Sequence, residues 1–473
     1  MRRQSPCDKP GIFYAGYNRV ATYRNATSRL AFGAAWVFVH AMRSRGCLRL
    51  LAGFALGIIP LATPVRADSL SPLAPRPDWA SLEAYQRTIS RPEFARLINT
   101  VYSIDGAFWN YCDINDERVI VYSDLGKTRP LFTLHFASSE STCAPLPYHY
   151  KTHAVSTDPS KPLKGLKIAL DPGHIGGDWA KLEARWFQLG NDPPVEEAKL
   201  NLVTCERLAE RLETDGATII WAKHDFEPVT DLRPEDLRRE AIAALALHIP
   251  PNNSGYTPSF LFGLEMMRKT HHLSTKERID NEAARLFYLV AEIRARAAVV
   301  NPQHPDLTIC VHYNADDWGD PANPTLTGHS RLVIFTNGAY EKSTELTFDD
   351  YKSDMLRKLL DRTAVQEERG CALVGQSMLD ILKYPPENYP GTYFAHHLTS
   401  VPSVYARDLL ANRIYHGPVI YCEGPYMNAR DAYYRIIAGD YLGKRTIQGQ
   451  SVASIYRDYA SAVEKGVLKY FGK

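Results

Sequence analysis

The fold is decided by the segment Leu166-Lys167-Ile168-Ala169-Leu170-Asp171-Pro172-Gly173-His174. Its short apolar run stops at Asp171-Pro172-Gly173, which is how a buried strand ends. Apolar residues at helical spacing follow in 198–214, and Gly216 then provides a helix C-cap. The next strand is predicted at 217–222. This succession of strand, helix and strand predicts an α/β fold.

The same alternation continues towards the end of the chain. Further buried strands are predicted at 307–311 and 419–422, and an amphipathic helix is predicted in 452–463. We therefore predict an α/β domain over residues 161–473, with a mostly parallel or mixed central sheet and helices on both faces.

Two stretches do not fit a minimal version of this domain. Residues 232–290 are rich in helix formers broken by Pro250, Pro251 and Gly255, and residues 318–400 are largely irregular in pattern. Both are predicted to be insertions that decorate one end of the sheet. Insertions after strand ends lie over the ligand-binding end of such a sheet, so residues 232–290 are expected to shape or occlude the groove there. The alternative is that they extend the core and pack away from the groove.

A small α+β module is predicted in front of this domain, over residues 68–160. Its elements are a helical stretch at 79–100, strands at 107–109, 118–122 and 131–136, and a polar linker at 152–164. No residue of the module indicates catalysis, and its role is left open.

Composition and length place the chain among ordinary globular proteins. It has 473 residues, of which 45% are hydrophobic and 23% charged, which excludes disorder, collagen and coiled coil and allows two or three domains. Residues 1–67 hold ten basic side chains and one acid, Asp8. The remainder has 45 basic and 52 acidic residues, a net charge of −7. No general basic surface for nucleic acid is expected.

The leader contains a complete secretory signal at 42–67. A basic segment with Arg43, Arg45 and Arg49 precedes the apolar run 50–62, and Val65-Arg66-Ala67 forms a small-residue cleavage site. We therefore predict a true start at Met42 and a periplasmic or secreted protein without a stable membrane span after cleavage. A membrane anchor that uses the apolar run 30–40 is the alternative, but neither run approaches the roughly 20 residues that span a bilayer.

Six cysteines remain after the leader, without a CxxC motif, so zinc fingers are excluded. Cys112 and Cys143 both lie in the first mature segment and are candidates for a disulfide, as export would allow. Cys310 and Cys422 lie in strand-like apolar runs and are predicted to be buried, inert thiols.

Four polar residues lie at the ends of the predicted elements. They are His174, Glu197, His312 and Glu423. Ligands of open α/β sheets bind at strand ends, so these side chains can converge. Two imidazoles and one of the two carboxylates make a three-ligand zinc site with an open position for water. The other glutamate is then available as a general base.

Each of these residues also has a structural explanation when it is taken singly. A histidine at a strand end is often only hydrogen-bonded, Glu197 could favour the helix dipole, and Glu423 could be a turn residue. His396-His397 and His271-His272 are weaker metal candidates, because adjacent histidines point apart or begin a solvated helix. The hypothesis of a zinc site therefore rests on the occurrence of all four residues in this order along the chain.

Four segments, taken together, resemble the zinc-dependent N-acetylmuramoyl-L-alanine amidases (amidase type 3), which cut the bond between glycan and stem peptide in peptidoglycan. The segments are Lys167-Ile168-Ala169-Leu170-Asp171-Pro172-Gly173-His174, Glu197-Ala198-Lys199-Leu200-Asn201-Leu202, Ile309-Cys310-Val311-His312-Tyr313-Asn314-Ala315 and Val419-Ile420-Tyr421-Cys422-Glu423. The resemblance implies that His174, Glu197 and His312 bind Zn²⁺ and that Glu423 is the catalytic acid/base.

The chain departs from the family pattern at three places. Ile175 replaces the glycine that usually follows the first histidine, and the last motif is about one residue short. The stretch between His174 and the glutamate is long, which leaves Glu196 as an alternative to Glu197. Glu197 is preferred because it stands five residues before Leu202.

The resemblance implies an exported zinc hydrolase that cleaves the amide bond between N-acetylmuramic acid and L-alanine. Peptidoglycan is then the substrate, and a regulatory protein partner is expected. Two alternatives stay open: another zinc peptidase or amidase of similar fold, and a non-catalytic protein that binds the cell wall.

Overall fold

The computed structural model describes residues 69–247, 274–340, 345–389 and 395–473. The predicted leader at 1–67 and the pair His271-His272 lie outside these ranges. The strands within them are β1 (Cys112–Ile114), β2 (Arg118–Tyr122), β3 (Pro130–His135), β4 (Lys167–Pro172), β5 (Trp186–Phe187), β6 (Val195–Glu196), β7 (Thr218–Trp221), β8 (Leu307–Asn314), β9 (Val333–Thr336), β10 (His396–His397), β11 (Val404–Ala406), β12 (Val419–Tyr426), β13 (Arg445–Ile447) and β14 (Gln450–Val452).

The helices vary from one turn to twenty residues. The α-helices are α1 (Arg91–Leu97), α2 (Trp179–Leu182), α3 (Glu197–Thr214), α4 (Arg238–Leu247), α5 (Thr275–Arg285), α6 (Glu292–Val300), α7 (Asp349–Leu360), α8 (Thr363–Leu382), α9 (Leu410–Ile414), α10 (Arg430–Ile437) and α11 (Ile455–Tyr470). Short 3₁₀ or π-helical turns lie at Trp79–Tyr85, Ile98–Tyr102, Ala107–Tyr111, Glu140–Thr142, Pro234–Leu237, Leu286–Ala291 and Asn301–Gln303.

The central sheet has seven strands in the order β10-β11-β9-β12-β8-β4-β7. Strands β12, β8, β4 and β7 are parallel to one another, whereas β9 is antiparallel to β12. Strand β8 lies inside the sheet, and seven of its eight residues are buried, as its continuous apolar sequence requires. The predicted mixed sheet is confirmed.

Alternate residues of the strands enter two separate hydrophobic clusters. In β4, Ile168 and Leu170 pack with α3, α8 and α11, whereas Ala169 packs with α6 and α9. The same alternation occurs in β8, where Ile309 and Cys310 face opposite clusters. Because side chains of a strand alternate between the two faces, helices cover both faces of the sheet, as predicted.

The prediction of a largely irregular stretch at 318–400 is wrong. It supplies β9, which pairs between β11 and β12, and the two long helices α7 and α8. Strand β9 has only four residues, which is too few for the periodicity of its apolar residues to identify a strand. Helix α8 contains glycines, which lower helix propensity, but a Cβ at Gly370 would lie 2.8 Å from the Ile420 Cδ1 atom. Glycine therefore permits close packing there.

The N-terminal module contains the three-stranded antiparallel sheet β1-β2-β3. The strand predicted at 118–122 is confirmed, but the one predicted at 107–109 is wrong, since Ala107–Tyr111 forms a 3₁₀ turn. The hydrophobic core of the module also includes Met355, Leu356 and Leu359 from α7. The module and the α/β domain therefore share side chains across the boundary expected near residue 160.

All six cysteines of the described ranges are free thiols. The candidate disulfide between Cys112 and Cys143 is therefore not formed. Cys112 is buried at the start of β1, whereas the Cys143 Sγ atom lies 3.6 Å from the carbonyl oxygen of Ser139 near the surface. Cys310 and Cys422 are fully buried, as predicted.

None of the helices within the described ranges is long and apolar enough to cross a membrane.

Candidate metal centre

His174 directly follows the turn that ends β4, and its backbone is left-handed, with φ of 65°. This conformation is unfavourable for a side chain larger than that of glycine, so the surrounding structure has to hold it. Its carbonyl oxygen accepts hydrogen bonds from Lys223 Nζ at 2.9 Å and Arg296 Nη2 at 2.8 Å. Arg296 is itself fixed by Asp171 at 2.8 Å. These contacts hold the backbone of the residue in place.

His312 lies on β8, and its ring stacks on Tyr421 of the adjacent strand with centroids 4.5 Å apart. The ring of His174 meets it edge-on, with the centroids separated by 5.0 Å. Tyr459 donates a hydrogen bond to the carbonyl oxygen of His312 at 3.1 Å. Both histidines are thus held at the carboxyl end of the parallel strands, as predicted for a site of this fold.

Glu197 is the first residue of α3, and its side chain enters the space between the histidines. Its Oε1 atom lies 3.1 Å from Nε2 of His174 and 3.3 Å from Nδ1 of His312. Glu196, the alternative, instead accepts a hydrogen bond from the backbone N–H of Gly177. The structure therefore brings Glu197, and not Glu196, together with the histidines.

One atom from each of His174, Glu197 and His312 lies within 4.8 Å of the corresponding atoms of the other two. Within the described ranges, no other group of three such residues converges in this way. Two imidazole nitrogens and one carboxylate oxygen are a donor set suited to a divalent metal of borderline softness, zinc included. This group could hold a metal ion.

The charges of these three residues are coupled. Burial alone would lower the pKa of His174, but the carboxylates of Glu197 and Glu183 raise it to about 9. Burial would raise the pKa of Glu197, but His174 and its other partners hold it well below its usual range. Burial lowers the pKa of His312. Without a metal, a proton on His174 therefore balances the Glu197 carboxylate, and a metal ion would replace that proton.

Glu423 lies beside the group without belonging to it. It pairs in register with His312 across β12 and β8. Burial and the nearby Glu197 carboxylate raise the pKa of Glu423 to about 8, against the opposing charges of Arg185 and His174. A carboxyl group that binds a proton near neutral pH can act both as an acid and as a base.

Sequence reasoning missed two polar residues that contact the group. Glu183 Oε2 lies 2.8 Å from Nδ1 of His174, and Arg185 Nε lies 3.3 Å from Oε2 of Glu197. Both belong to the stretch between His174 and Glu197, whose unusual length was the available signal.

The weaker candidates stay apart from the group. His396 and His397 form β10 at the edge of the sheet, where His397 Nε2 lies 3.0 Å from the carbonyl oxygen of Val401. Cys310, predicted to be an inert thiol, is fully buried, with Sγ 3.9 Å from Asp171 Oδ2. The structure therefore places these side chains outside the group of His174, Glu197 and His312.

The described parts of 232–290 pack close to the site. Leu237 and Ala241 join Phe287 in one hydrophobic cluster with Ile175, the residue after His174. Trp179 packs against the same cluster, with its ring centroid 5.0 Å from that of Phe287. That the whole insertion shapes the groove stays a prediction, because residues 248–273 lie outside the described ranges.

The fold and the site thus define an α/β protein with a His-Glu-His group at the strand ends. No protein-family model matches the chain, and no curated protein matches it. Several solved structures are similar to it.

The similar structures include the CwlD amidase from Clostridioides difficile in complex with the GerS lipoprotein. It is 12% identical, covers 65% of this chain and 98% of its own, and gives a TM-score of 0.34. The apo N-acetylmuramyl-L-alanine amidase Ami1 from Mycobacterium abscessus is 13% identical, with 65% and 100% coverage and a TM-score of 0.33. The N-acetylmuramoyl-L-alanine amidase AmiC2 of Nostoc punctiforme is 14% identical, with 66% and 99% coverage and a TM-score of 0.30. These structures are of the family that the four sequence motifs resemble.

Proposed function

We propose that this protein is a zinc-dependent N-acetylmuramoyl-L-alanine amidase, which hydrolyses the amide bond between N-acetylmuramic acid and L-alanine in peptidoglycan. The observation that carries the proposal is the convergence of His174, Glu197 and His312, with Glu423 beside them. A binding module has no need for a proton-carrying carboxyl group next to three metal ligands. The resemblance of the four sequence motifs implies the same four residues in the same roles.

In this proposal, His174, Glu197 and His312 would hold zinc through Nε2, Oε1 and Nδ1, the atoms that face one another. When bound by three protein ligands, zinc supplies a Lewis acid for a carbonyl group and lowers the pKa of water towards about 7. Two of the three ligand residues are almost fully enclosed, with Glu197 2% and His312 8% exposed, and the side chain of His174 is 14% exposed. Their burial keeps bulk water from competing for the ligand atoms.

Glu423 moves the proton. It takes a proton from the attacking water as the new C–O bond forms on the amide carbonyl. It then gives that proton to the nitrogen of L-alanine as the C–N bond breaks, so that the amine leaves in neutral form. Burial raises the pKa of Glu423, and this direction favours its holding the proton between these two events.

We further propose that the protein acts outside the cytoplasm, periplasmic or secreted, on the basis of the secretory signal at 42–67. Peptidoglycan is the proposed substrate. A protein partner that controls activity is part of the proposal, and one of the similar structures is an amidase in complex with a lipoprotein.

Mass spectrometry of peptidoglycan digested by the purified zinc-loaded protein tests the function. The expected products are intact glycan strands and stem peptides that begin with a free L-alanine amine. Cleavage within the stem peptide would instead assign another peptidase of this fold. Binding to the wall without released peptide would assign a non-catalytic wall-binding protein. Glu423→Gln serves as the inactive control.

A further inference from the structure

Two charged side chains next to the metal ligands have no part in the proposed mechanism. Glu183 follows α2, and Arg185 lies one residue before β5. The side chain of Glu183 is 1% exposed and that of Arg185 is 26% exposed. Burying a charged group is costly unless it is paired, so their contacts indicate what they do.

Glu183 holds both the side chain of His174 and the backbone behind it. Its Oε2 atom lies 2.8 Å from Nδ1 of His174, and its Oε1 atom accepts the backbone N–H of Ile175 at 3.1 Å. One carboxylate therefore fixes the ring orientation and the backbone after the left-handed residue. When a metal replaces the second proton of His174, Nδ1–H still donates to Glu183 and the lone pair on Nε2, which faces Glu197, is available to the metal.

Arg185 holds the outer oxygen of Glu197. Its Nε atom lies 3.3 Å from Oε2 of Glu197, while Oε1 faces the histidines. The backbones are joined as well, since the N–H of Glu197 donates to the carbonyl oxygen of Arg185 at 3.1 Å. This bond extends the antiparallel pairing of β5 with β6, in which Trp186 lies opposite Glu196. The two-stranded sheet therefore sets Arg185 directly against the carboxylate.

The segment from Trp179 to Phe187, which contains Glu183 and Arg185, is anchored at both ends. The ring of Trp179 packs on Phe287 at 5.0 Å, and the ring of Phe187 packs on Trp318 at 5.1 Å. Between them, the N–H of Arg185 donates to the carbonyl oxygen of Ala180 at 2.8 Å, which closes the turn after α2. The positions of Glu183 and Arg185 are thus determined by packing on neighbouring elements.

We propose that the segment from Trp179 to Phe187 supports the metal centre, with Glu183 as the positioning residue for His174 and Arg185 as the positioning residue for Glu197. Metal-binding histidines generally donate their second ring N–H to a carboxylate or carbonyl, which fixes the ring and makes it a better ligand. The proposal rests on the metal centre of the proposed function. It adds that the extra chain between the first two ligands preorganises both of them.

The first test is the affinity of the metal-free protein for zinc, measured by competition with a chromophoric chelator and without substrate. Glu183→Gln keeps the shape but offers only one acceptor oxygen for two donors, so zinc binding should weaken by about 10- to 100-fold. The control is Asp178→Asn, which changes an exposed carboxylate directly before this segment that makes no capping bond to α2. Equal affinities for Glu183→Gln, Asp178→Asn and wild type would overturn the role of Glu183.

The second test uses Arg185→Met, which removes the charge, and Arg185→Lys, which keeps it. Loading with Co²⁺ in place of zinc gives a visible spectrum that reports the geometry of the ligands. Arg185→Met should shift this spectrum and weaken the metal by about 10-fold, and Arg185→Lys should recover part of both. A variant Arg185→Met with the wild-type spectrum and affinity would overturn the role of Arg185.

Thermal unfolding of the metal-free variants separates positioning from general stability. A positioning role predicts weaker metal binding even at temperatures at which the metal-free variant is fully folded. If Glu183→Gln does not fold, ¹⁵N spectra of the histidine rings in the zinc-loaded wild type decide. The proposal requires His174 to carry its proton on Nδ1, and a proton on Nε2 would refute it. None of these measurements uses peptidoglycan. The proposed hydrolysis of peptidoglycan can therefore be disproved while the positioning roles of Glu183 and Arg185 are confirmed.

Discussion

The ring of His312 occupies the space where a side chain on residue 173 would lie. A Cβ atom built on Gly173 would be 2.1 Å from Cε1 of His312 and 2.4 Å from each ring nitrogen. Gly173 does not have a positive φ, so glycine is required there for space and not for backbone conformation. The glycine before the first histidine thus makes room for the second one.

Gly173→Ala should therefore damage the metal centre without touching a ligand. The added methyl group displaces the His312 ring, so we expect zinc affinity to fall by at least about 10-fold, as for the loss of a supporting partner. Equilibrium zinc titration of the metal-free protein measures it. Gly328→Ala is the matched control, because no atom lies within 4 Å of its Cβ. Equal affinities in the two variants would contradict the steric account.

Removal of either histidine should release the metal. His174→Ala and His312→Ala each leave two ligands, so zinc affinity should fall by more than the roughly 10- to 100-fold typical of a lost supporting contact, and activity should vanish. Zinc content by atomic emission after dialysis provides the measurement. His397→Ala, at an exposed histidine on β10, should keep full zinc content. Full occupancy in His174→Ala or His312→Ala would disprove the assignment.

Glu423→Gln should separate catalysis from metal binding. The amide has nearly the same shape but cannot take the proton from water, so turnover should fall by at least roughly 10²-fold while zinc stays bound. Release of stem peptide and zinc content are measured on the same sample. A near wild-type rate, or the loss of zinc, would show that the role of Glu423 is misassigned.

The shared core of the N-terminal module predicts an effect of α7 on stability. Leu356 is fully buried among side chains of the module, so Leu356→Ala should cost about 2–5 kcal/mol of unfolding free energy through the cavity it leaves. Chemical denaturation measures this change. Val365 is 53% exposed, so Val365→Ala should change stability by no more than about 0.5 kcal/mol. Similar values for the two variants would show that α7 does not complete the module.

The free thiols predict a labelling pattern. Cys143 is partly exposed, whereas the other five cysteines of the described ranges are buried. A thiol reagent should therefore modify one site in the folded protein without leader, and Cys143→Ser should abolish this reaction. Intact mass after alkylation without reductant measures the number of modified sites. A mass two hydrogens below that of the reduced protein would instead reveal a disulfide.

The sequence was sufficient to predict those features that depend on local pattern. The apolar run that ends at Asp171-Pro172-Gly173 predicts a buried strand, because burial on both faces requires a continuous apolar sequence. The polar residues His174 and His312 at the ends of such runs predict a site, because parallel strands end at one edge of a sheet. Glu423 was found in the same way. Its position beside His312 follows from the parallel pairing of β12 with β8.

Only the tertiary structure decided the contacts between segments that the pattern treats as unrelated. The four residues of β9 carry too little periodicity, and their place in the sheet is set by pairing with β12 and β11. Helix α7 begins about 190 residues after the end of the module whose core it completes. Nothing in the sequence distinguishes Glu183 from the other acidic residues, because its contact with His174 forms only in the folded chain. The choice of Glu197 over Glu196 depends on the residue at which α3 begins. Such contacts depend on distances between side chains, which are set only when the packed elements bring them together.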